Sequence, residues 1–417
     1  MKKVFLILGY NNTRIDDVQK IRDKANAHFG ASVVLCKPTP TAEDQKAVDD
    51  IIDVPLSASF ENVGVIMRAC NEKNLKIIGV LPFSDPGTQL GALVAKELNL
   101  PGADPERVSA AFNKFHFRQQ ESKCHFLPHF YHPIQATRIE TKMELHHWMH
   151  TMKGEAFLKP MQEGNSRGCT LVQGANDIDR AWEEVSPYAN GGIMLEENIS
   201  GAQEYSFDRV ANYSWITEKE TTQNEYRAEI QQIVPTSVPE NVLSQFLQAG
   251  KVAADLSGSN GGACHNEFFW MKEAQKIAIV EPNLRPAGMR IWDLAGLAFE
   301  NFDPWNLWLS WASGKEHSTP QPWNLKFYAG IRMILSPANG IISKLPNSET
   351  ILQELKKSCP EVVEIFWSKS IGAKVQKIPS DNAGFIGHVI AKSTDPQNLK
   401  SSLKNICEII SNQVEVL

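Results

Sequence analysis

Residues 265–290 read HNEFFWMKEAQKIAIVEPNLRPAGMR, and this stretch decides how the rest of the chain is interpreted. The aromatic run 268–270 follows Glu267, and a largely β-branched run, Ile277–Val280, ends at Glu281. The polar residues between these runs complete the pattern of a hairpin with one acid on each strand. Pairing of the two strands would bring Glu267 and Glu281 side by side, with Asn283 two residues further on the same face.

The side chains of this hairpin predict a metal site. Two carboxylates and an amide oxygen are ligands that suit a hard cation such as Mg²⁺, which keeps water and phosphate oxygens as its other ligands. Arg285 follows Asn283 and is a fork-shaped donor for phosphate or carboxylate. The alternative is a surface hairpin with ordinary solvated charges, and this stretch alone leaves both interpretations open.

Length and composition limit the class of protein. A chain of 417 residues is too long for one core and predicts roughly two to four domains. With 42% hydrophobic and 22% charged residues it is typical of a soluble globular protein, and a net charge of −6 argues against nucleic acid as a partner. The sequence contains no apolar run long enough to span a membrane, so we expect no membrane partner.

The cysteines indicate the redox state of the compartment in which the protein is expected. Seven cysteines are scattered along the chain, and none forms a CxxC pair. An odd number without metal-ligand spacing favours reduced thiols over disulfides or zinc, and predicts a cytoplasmic protein.

The first 112 residues alternate between strand and helix patterns. Four buried strands are expected near residues 4–8, 32–36, 50–54 and 76–80, with helices between them, which predicts a parallel α/β sheet. The first strand is followed by Gly9-Tyr10-Asn11-Asn12 rather than by a GxGxxG loop. This absence argues against a nicotinamide-dependent oxidoreductase. A further helix is expected to begin within 106–112.

Two segments between residues 113 and 200 resemble nucleotide-binding elements. The strand Ala156–Lys159 is followed by a small-residue loop, 161–168, and by a second strand at 169–172. Glycines leave a backbone accessible, so such a loop can present N–H groups to phosphate oxygens, although the glycines alone favour a plain hairpin loop. The strand Ile193–Glu197 ends in two acids and then turns, as a hinge that contacts an adenine edge would, although paired acids at a strand end are usually solvated.

The remaining residues combine strands and helices in a less regular order. Strands are expected at 204–208 and 214–219, and the polar run 220–229 is predicted to be a mobile loop. A helix at 242–256 precedes the hairpin, and two helices at 291–299 and 305–311 follow it. Prolines mark a boundary near 315–325. The tail is expected to contain five strands and a final helix beginning at Asp395.

In their order, these pieces resemble the ATP-grasp superfamily of carboxylate–amine ligases. Five segments match in order. The first runs from Leu100-Pro101-Gly102 through Asn113-Lys114 to Arg118, and the second is FLKP at 157–160 with the loop 164–168. The others are LEENISGAQEYSFD at 195–208, the TEK strand 216–219, and HNEF at 265–268 with VEPNLRPAG at 280–288. The match covers essentially the whole chain. Within the superfamily, the N-terminal region and the motif SPANGIISKL at 336–345 resemble bacilysin-type L-amino-acid ligases and dapdiamide-type amide synthetases.

The resemblance implies a fold and a division into domains. It implies an α/β protein, α+β in the nucleotide-binding part, with the ATP-grasp fold and an N-terminal Rossmann-like pre-ATP-grasp domain. We expect this domain at 1–112, the nucleotide-binding subdomain with its phosphate loop at 113–200, the metal and substrate subdomain at 201–318, and a C-terminal α/β domain at 319–417.

The resemblance also implies a role for individual residues. Lys114 and Lys159 would contact the α- and β-phosphates of ATP. The loop 163–168 would close over the β- and γ-phosphates, and its contacting residues would be Glu163, Gly164, Ser166 and Gly168. Adenine would be held at the hinge by Glu196, Glu197 and Ile199, and the ribose hydroxyls by Glu204.

The metal and substrate roles follow from the same resemblance. Glu267, Glu281 and Asn283 would hold Mg²⁺, with Mn²⁺ as an alternative, and Glu281 would bridge two ions. Arg285 would hold the reacting carboxylate or the acyl-phosphate. His265 would either assist in deprotonating the amine or be a structural histidine near the site. Relatives often carry a Gly-rich turn where this chain has Pro286-Ala287, so the floor of the substrate pocket is not predicted.

The sequence therefore predicts an ATP-dependent ligase that joins a small carboxylate, such as an amino acid, to an amine through an acyl-phosphate. Lysines, Mg²⁺ and an arginine suffice for phosphoryl transfer, because it mainly needs positioning and charge neutralisation. A homodimer is left open. The alternatives are another ATP-grasp enzyme of the purine-biosynthesis or biotin-carboxylase type, and a synapsin-like protein that binds ATP without turnover. Retention of the metal ligands and of Arg285 argues against the last.

Overall fold

A parallel sheet forms the N-terminal part of the computed structural model, which describes residues 1–151, 154–164, 167–222, 227–315, 324–357 and 359–417. Its strands lie in the order β3-β2-β1-β4, and five consecutive buried residues in β1 are typical of a strand covered on both faces. The elements are β1 (Lys2–Leu8), α1 (Ile15–Phe29), β2 (Ser32–Lys37), α2 (Ala42–Ala47), β3 (Asp50–Asp53), α3 (Phe60–Glu72), β4 (Leu75–Pro82) and α4 (Asp85–Glu97). The predicted strand–helix alternation is confirmed.

A small antiparallel sheet in the order β5-β8-β6-β7 follows. Its elements are α5 (Lys114–Lys123), β5 (Ala136–Ile139), α6 (Lys142–Thr151), β6 (Ala156–Pro160), β7 (Thr170–Val172), α7 (Ile178–Val185) and β8 (Ile193–Glu197). The helix expected to begin within 106–112 begins later than predicted, because Val108–Ala111 forms only a 3₁₀ turn. Helix α5 instead begins at Lys114, where the Asn113 side chain accepts the N–H groups of residues 115 and 116 as an N-cap.

The predicted hairpin lies at one end of an eight-stranded sheet. This central region contains β9 (Gln203–Val210), β10 (Tyr213–Thr221), β11 (Glu229–Val234), α8 (Glu240–Leu256), β12 (Cys264–Met271), β13 (Lys276–Glu281), α9 (Ile291–Ala298) and α10 (Pro304–Ala312). The sheet order begins β13-β12-β9-β10-β11, which confirms the hairpin of β12 and β13. The run 220–229 is not wholly a loop, because β10 extends to Thr221 and β11 begins at Glu229.

The tail continues the same sheet. Its elements are β14 (Tyr328–Ile334), β15 (Gly340–Lys344), α11 (Ser348–Leu355), β16 (Val362–Trp367), β17 (Lys374–Val375), β18 (Gly387–Ser393), α12 (Pro396–Ser411) and β19 (Glu415–Val416). Strand β14 pairs with β11, and the order then runs β14-β18-β16, while β17-β15-β19 form a separate small sheet. Helix α11 was not predicted. The division into four domains stays a prediction, but strands from both sides of residue 318 share this sheet.

One apolar core joins the N-terminal sheet to the large sheet. It includes Phe5 of β1, Trp292 of α9, Trp308 of α10 and Ile390 of β18, all almost fully buried. Helices α9 and α10 therefore pack between the two sheets and fix the end of β4 close to the segment that follows the hairpin. No helix in the described ranges is long and apolar enough to cross a membrane. The seven cysteines are free.

Candidate active site

The two acids of the hairpin lie opposite each other. Glu267 of β12 pairs with Glu281 of β13 in the antiparallel register, as predicted, with a bulge directly after Glu267. Asn283 continues the pairing by exchanging backbone hydrogen bonds with His265 at 2.8 and 3.1 Å. Its side-chain amide donates to Oε1 of Glu281 at 3.2 Å. The structure thus brings together the three side chains that the sequence predicted as metal ligands.

A buried lysine, Lys219, pairs with Glu267 and with two further acids. The Nζ of Lys219, on β10, lies 2.7 Å from Glu204, 2.5 Å from Glu229 and 2.5 Å from Glu267. Burial alone lowers the pKa of Lys219, but the carboxylates outweigh it and hold the pKa well above its usual value. Carboxylate oxygens of the three acids lie within 4.8 Å of one another, so one ammonium serves three of them. This local excess of negative charge suits a divalent cation.

Glu204 lies in this cluster, paired with Lys219. Burial, followed by the neighbouring Glu267 and Glu229, raises the pKa of Glu204 to about 7. Its role on the ribose hydroxyls stays a prediction. The sequence did not single out Lys219 or Glu229 as site residues, although Lys219 ends the TEK segment. The strand pairing that aligns β10 with β11 and β9 with β12 brings the four side chains together.

His265 is held between two carboxylates. Its Nδ1 lies 2.7 Å from Asp208, and its Nε2 lies 3.3 Å from Glu267. Asp208 is fully buried and also accepts hydrogen bonds from Ser206 and Thr217, both at 2.7 Å. Burial lowers the pKa of His265, but Asp208 and Glu267 outweigh it and raise the pKa to about 9. Both ring nitrogens of His265 thus contact carboxylates, which favours the structural role over that of a base.

The two predicted phosphate lysines form ion pairs with acids of the site. Lys114 at the start of α5 lies 2.7 Å from Oε2 of Glu281, and it donates to the carbonyl oxygen of Glu163 at 2.5 Å. Lys159 on β6 lies 2.5 Å from Glu196. Glu196 is almost fully buried, and its carboxylate is paired with this lysine and with Arg118. A contact of Glu196 with adenine would therefore use its backbone.

Arg118 connects the four-stranded sheet β5-β8-β6-β7 to the β12–β13 hairpin. Its Nε donates to Glu196 at 2.7 Å and its Nη1 to Glu121 at 2.7 Å. Its Nη2 donates to the carbonyl oxygens of Ile279 and Val280 on β13 at 2.8 and 2.9 Å. One buried guanidinium therefore fixes β8 relative to the strand that ends in Glu281. The motif at 100–118 included Arg118, but the sequence assigned it no role.

The other hinge residues lie at the end of β8 and directly after it. Glu197 is about a third exposed, and its carboxylate lies 3.0 Å from Nε2 of His132. Ile199 is buried in a small apolar cluster with Ile134 and Ala278. These positions leave the predicted adenine contacts of Glu197 and Ile199 as predictions.

The phosphate loop borders a cavity with an empty volume of about 330 Å³, part of it open to solvent. The loop contributes Gln162, Glu163 and Gly164, and no atom lies within 4 Å of where a Cβ on Gly164 would be. The opposite wall is formed by residues of the other elements, namely Asp85, Ala110, Ala111, Phe112, Lys114, Glu281, Pro282 and Asn283. Gly168 closes the loop at a positive φ of 67°. Ser166 lies outside the described residues.

Arg285 contacts the N-terminal sheet. Its Nε donates to Oδ1 of Asp85 at 2.8 Å, in the first turn of α4 directly after β4. In a parallel sheet, ligands bind outside the carboxyl ends of the strands where the strand order reverses, and here that point lies between β1 and β4. Arg14 donates to the carbonyl oxygen of the next residue, Pro286, at 2.9 Å. The sequence did not single out Asp85, although its position after a buried strand was a usable signal.

Comparisons with known proteins show the fold. No protein-family model and no curated protein matches the sequence. Solved structures do match over almost the full length of both chains, and all three described below are less than 20% identical to this chain. An L-amino acid ligase from Bacillus licheniformis is 18% identical, covers 100% of this chain and 98% of its own, and superposes with a TM-score of 0.78.

Two further structures carry the same fold. Phosphoribosylglycinamide synthetase from Anaerococcus prevotii is 15% identical over 100% of this chain and 99% of its own, with a TM-score of 0.68. N5-carboxyaminoimidazole synthase from Aspergillus clavatus, in complex with ADP and 5-aminoimidazole ribonucleotide, is 14% identical over 99% of each chain, with a TM-score of 0.70. At these identities the likeness establishes the architecture and assigns no substrate.

Proposed function

Because the chain has the ATP-grasp fold that its sequence predicted, we propose that it is an ATP-dependent carboxylate–amine ligase. The observation that carries this proposal is the convergence on one cavity of Lys114, the loop residues Glu163 and Gly164, and the metal side chains Glu281 and Asn283. A lysine, an accessible loop backbone and hard oxygen ligands are what a metal-bound triphosphate requires.

The donor set fits Mg²⁺. Glu267 and Glu281 offer carboxylate oxygens and Asn283 an amide oxygen, and the acids around Lys219 carry more negative charge than one ammonium neutralises. The predicted site therefore has the ligand type and the charge for a hard divalent cation, with Mn²⁺ as an alternative. When bound, the metal neutralises phosphate charge that would otherwise repel the attacking carboxylate.

The protein side chains would position the reactants. Lys114 exchanges its contact with Glu281 for a phosphate oxygen, which leaves Glu281 available to the metal. Arg285 turns its guanidinium toward the substrate carboxylate, for which a planar fork is suited. The carboxylate attacks the γ-phosphorus, ADP leaves, and the amine then displaces phosphate from the acyl carbon to form an amide. Water would hydrolyse the acyl-phosphate, so closure of the loop over the cavity is part of the proposal.

The substrates are proposed to be an amino acid or a similar small carboxylate and an amine, which makes dipeptide synthesis the favoured activity. The likeness to an L-amino acid ligase has the highest TM-score of the three comparisons above and supports this choice. The alternative is bicarbonate or purine-precursor chemistry, since structures with those activities share the fold. The cytoplasmic location and the homodimer remain predictions.

The test is a screen of L-amino acid pairs with ATP and Mg²⁺, read by phosphate release, with mass spectrometry of the products. We expect phosphate release that depends on both amino acids and a product mass equal to their condensation. The Glu281→Gln protein is the control for contaminating activity. Phosphate release with bicarbonate and not with amino acids would support the alternative. Tight binding of ATP without any release would point to a nucleotide-binding protein without turnover.

A further inference from the structure

The turn that follows Arg285 holds two consecutive residues in the left-handed region. Met289 has a φ of 50° and Arg290 a φ of 58°, and neither is glycine. Each such residue costs on the order of 1 kcal/mol and persists only where surrounding contacts determine it. The turn therefore needs restraints from outside itself.

Within the turn, the N–H of Ile291 donates to the carbonyl oxygen of Gly288 at 3.1 Å, and Met289 packs against the apolar core. No atom lies within 4 Å of where a Cβ on Gly288 would be. The turn is fixed at its two ends, by the hydrogen bond from Arg14 to Pro286 and by the almost fully buried Trp292 in α9. Residues 288–290 bridge these two fixed points.

The side chain of Arg290 restrains the turn from the tail of the chain. Its Nη1 and Nη2 reach the two carboxylate oxygens of Glu364 on β16 at 3.0 and 3.4 Å, and its Nε donates to Asp293. Glu364 is itself held by Nε2 of His388 on β18 at 3.0 Å. Asp293 in turn lies 2.8 Å from Lys20 of α1. The guanidinium thus stands in a row of alternating charges that runs from the N-terminal part to the tail.

We propose that Glu364, acting through Arg290, is a positioning residue for the substrate carboxylate. The pair holds the strained turn so that Arg285, five residues before Arg290, keeps its guanidinium beside Asp85, which lines the cavity. A two-pronged contact with a carboxylate fixes both the position and the plane of the guanidinium, so it restrains the backbone of Arg290 more than a single ion pair would. This inference rests on the proposed function, because it concerns the arginine assigned there to the carboxylate.

The first arm of the test does not need a substrate. Glu364→Gln keeps the size of the side chain and removes its charge, and Glu354→Gln, on the exposed face of α11, is the matched control. Amide hydrogen exchange is measured with AMP-PNP and Mg²⁺ bound. We expect exchange in 285–291 to become roughly tenfold faster in Glu364→Gln only, with no change in 156–172.

The second arm measures turnover with the L-amino acid pair that the wild type uses fastest. We expect Glu364→Gln to raise the KM for the carboxylate substrate by about tenfold, with AMP-PNP affinity within about twofold of the wild type. Arg290→Lys keeps the charge and loses the fork, and it should likewise raise the KM while leaving AMP-PNP affinity nearly unchanged. The double variant should be no worse than the worse single one, because both changes remove one interaction.

Three outcomes would overturn the inference. Exchange and KM in Glu364→Gln that match Glu354→Gln would show that the pair does not hold the turn. Parallel loss of AMP-PNP binding and of thermal stability would mean a purely structural role. Additive effects in the double variant would separate Glu364 from Arg290. If Glu364→Gln does not fold, Arg290→Lys is judged by the same criteria. If no amino acid pair supports turnover, the proposed function fails, and the exchange arm still decides the positioning role.

Discussion

At the residue scale, Glu281 lies between Lys114, which is proposed to contact phosphate, and the other two proposed metal ligands. Its carboxylate contacts Lys114 and Asn283, and it faces Glu267 across the hairpin. Glu281→Gln should abolish ADP formation and leave the fold intact, because the amide cannot balance the charge of two cations. ADP release and a thermal unfolding curve check this together. Turnover near the wild-type rate would remove the metal assignment.

A substitution at Lys159 tests the predicted contact of this residue with ATP. Lys159→Ala should weaken the binding of a non-hydrolysable ATP analogue strongly, since a charge-assisted contact to phosphate is lost. The variant leaves Glu196 with Arg118 as its partner, so we expect the four-stranded sheet β5-β8-β6-β7 to stay folded. Lys251→Ala, at an exposed position of α8, is the control for a general effect of lost charge. Unchanged affinity in calorimetry would mean that the Lys159 strand does not contact ATP.

A substitution at Arg285 tests whether this residue serves the carboxylate substrate or the binding of ATP. Arg285→Lys should keep ATP affinity nearly unchanged, because other residues are assigned to adenine, ribose and the α- and β-phosphates. We expect kcat/KM for the carboxylate substrate to fall by at least one to two orders of magnitude, about 1.4–2.8 kcal/mol of lost transition-state binding. Lysine retains the charge that pairs with Asp85 but not the fork. Near-normal steady-state kinetics, or a defect confined to ATP binding, would contradict the assignment.

The site residues that the sequence did not single out were missed for one physical reason. Glu267, Glu281 and Asn283 lie within one local hairpin, so their proximity follows from alternation and pairing along adjacent strands. Lys219 and Asp85 come into the site through pairing and packing between segments that are far apart in the sequence. A lysine that ends a strand and an acid that begins a helix are common, and only the sheet order distinguishes these two from solvated charges.

At the element scale, β11 shows why one strand was not predicted from the sequence. Its sequence, EIQQIV, has polar residues at buried positions, and both Gln231 and Gln232 are almost inaccessible. Arg332 of β14 satisfies Gln231 by donating to its side chain at 3.0 Å. A strand that buries glutamines gives no apolar alternation, so its pattern is that of a polar connection. The hairpin of β12 and β13 was predicted because its apolar runs are continuous.

The phosphate loop offers a matched pair of glycines for a test at this scale. A Cβ on Gly168 would lie 2.6 Å from the Tyr188 ring at a φ of 67°, whereas a Cβ on Gly164 would meet no atom within 4 Å. Gly168→Ala should therefore lower the free energy of unfolding by about 1–2 kcal/mol. Gly164→Ala should leave stability within about 0.5 kcal/mol and weaken ATP binding, since its Cα borders the cavity. Denaturant unfolding and analogue titration measure both, and equal stability losses would contradict the loop geometry.

At the scale of the whole molecule, the tail beyond residue 324 completes the sheet that carries the site. Strand β14 pairs with β11, and β18 and β16 continue the order outward. Ile331 and Ile390 belong to the same core as Phe5 and Trp292, so removing the tail would expose apolar surface of the other parts. Backbone groups of β11 would also lose their partners along one edge, which makes an unprotected strand.

We therefore expect residues 1–315 alone not to form a soluble nucleotide-binding protein, and the full chain to unfold without separate melting of its tail. In calorimetry the tail and the central sheet should unfold in one transition, because they share a core and a hydrogen-bonded ladder. Hydrogen exchange during denaturant titration assigns the transition to elements, with amides of β18 and β10 losing protection at the same denaturant concentration. A stable 1–315 fragment that binds AMP-PNP with full-length affinity would show that the predicted division near residue 318 is a true domain boundary.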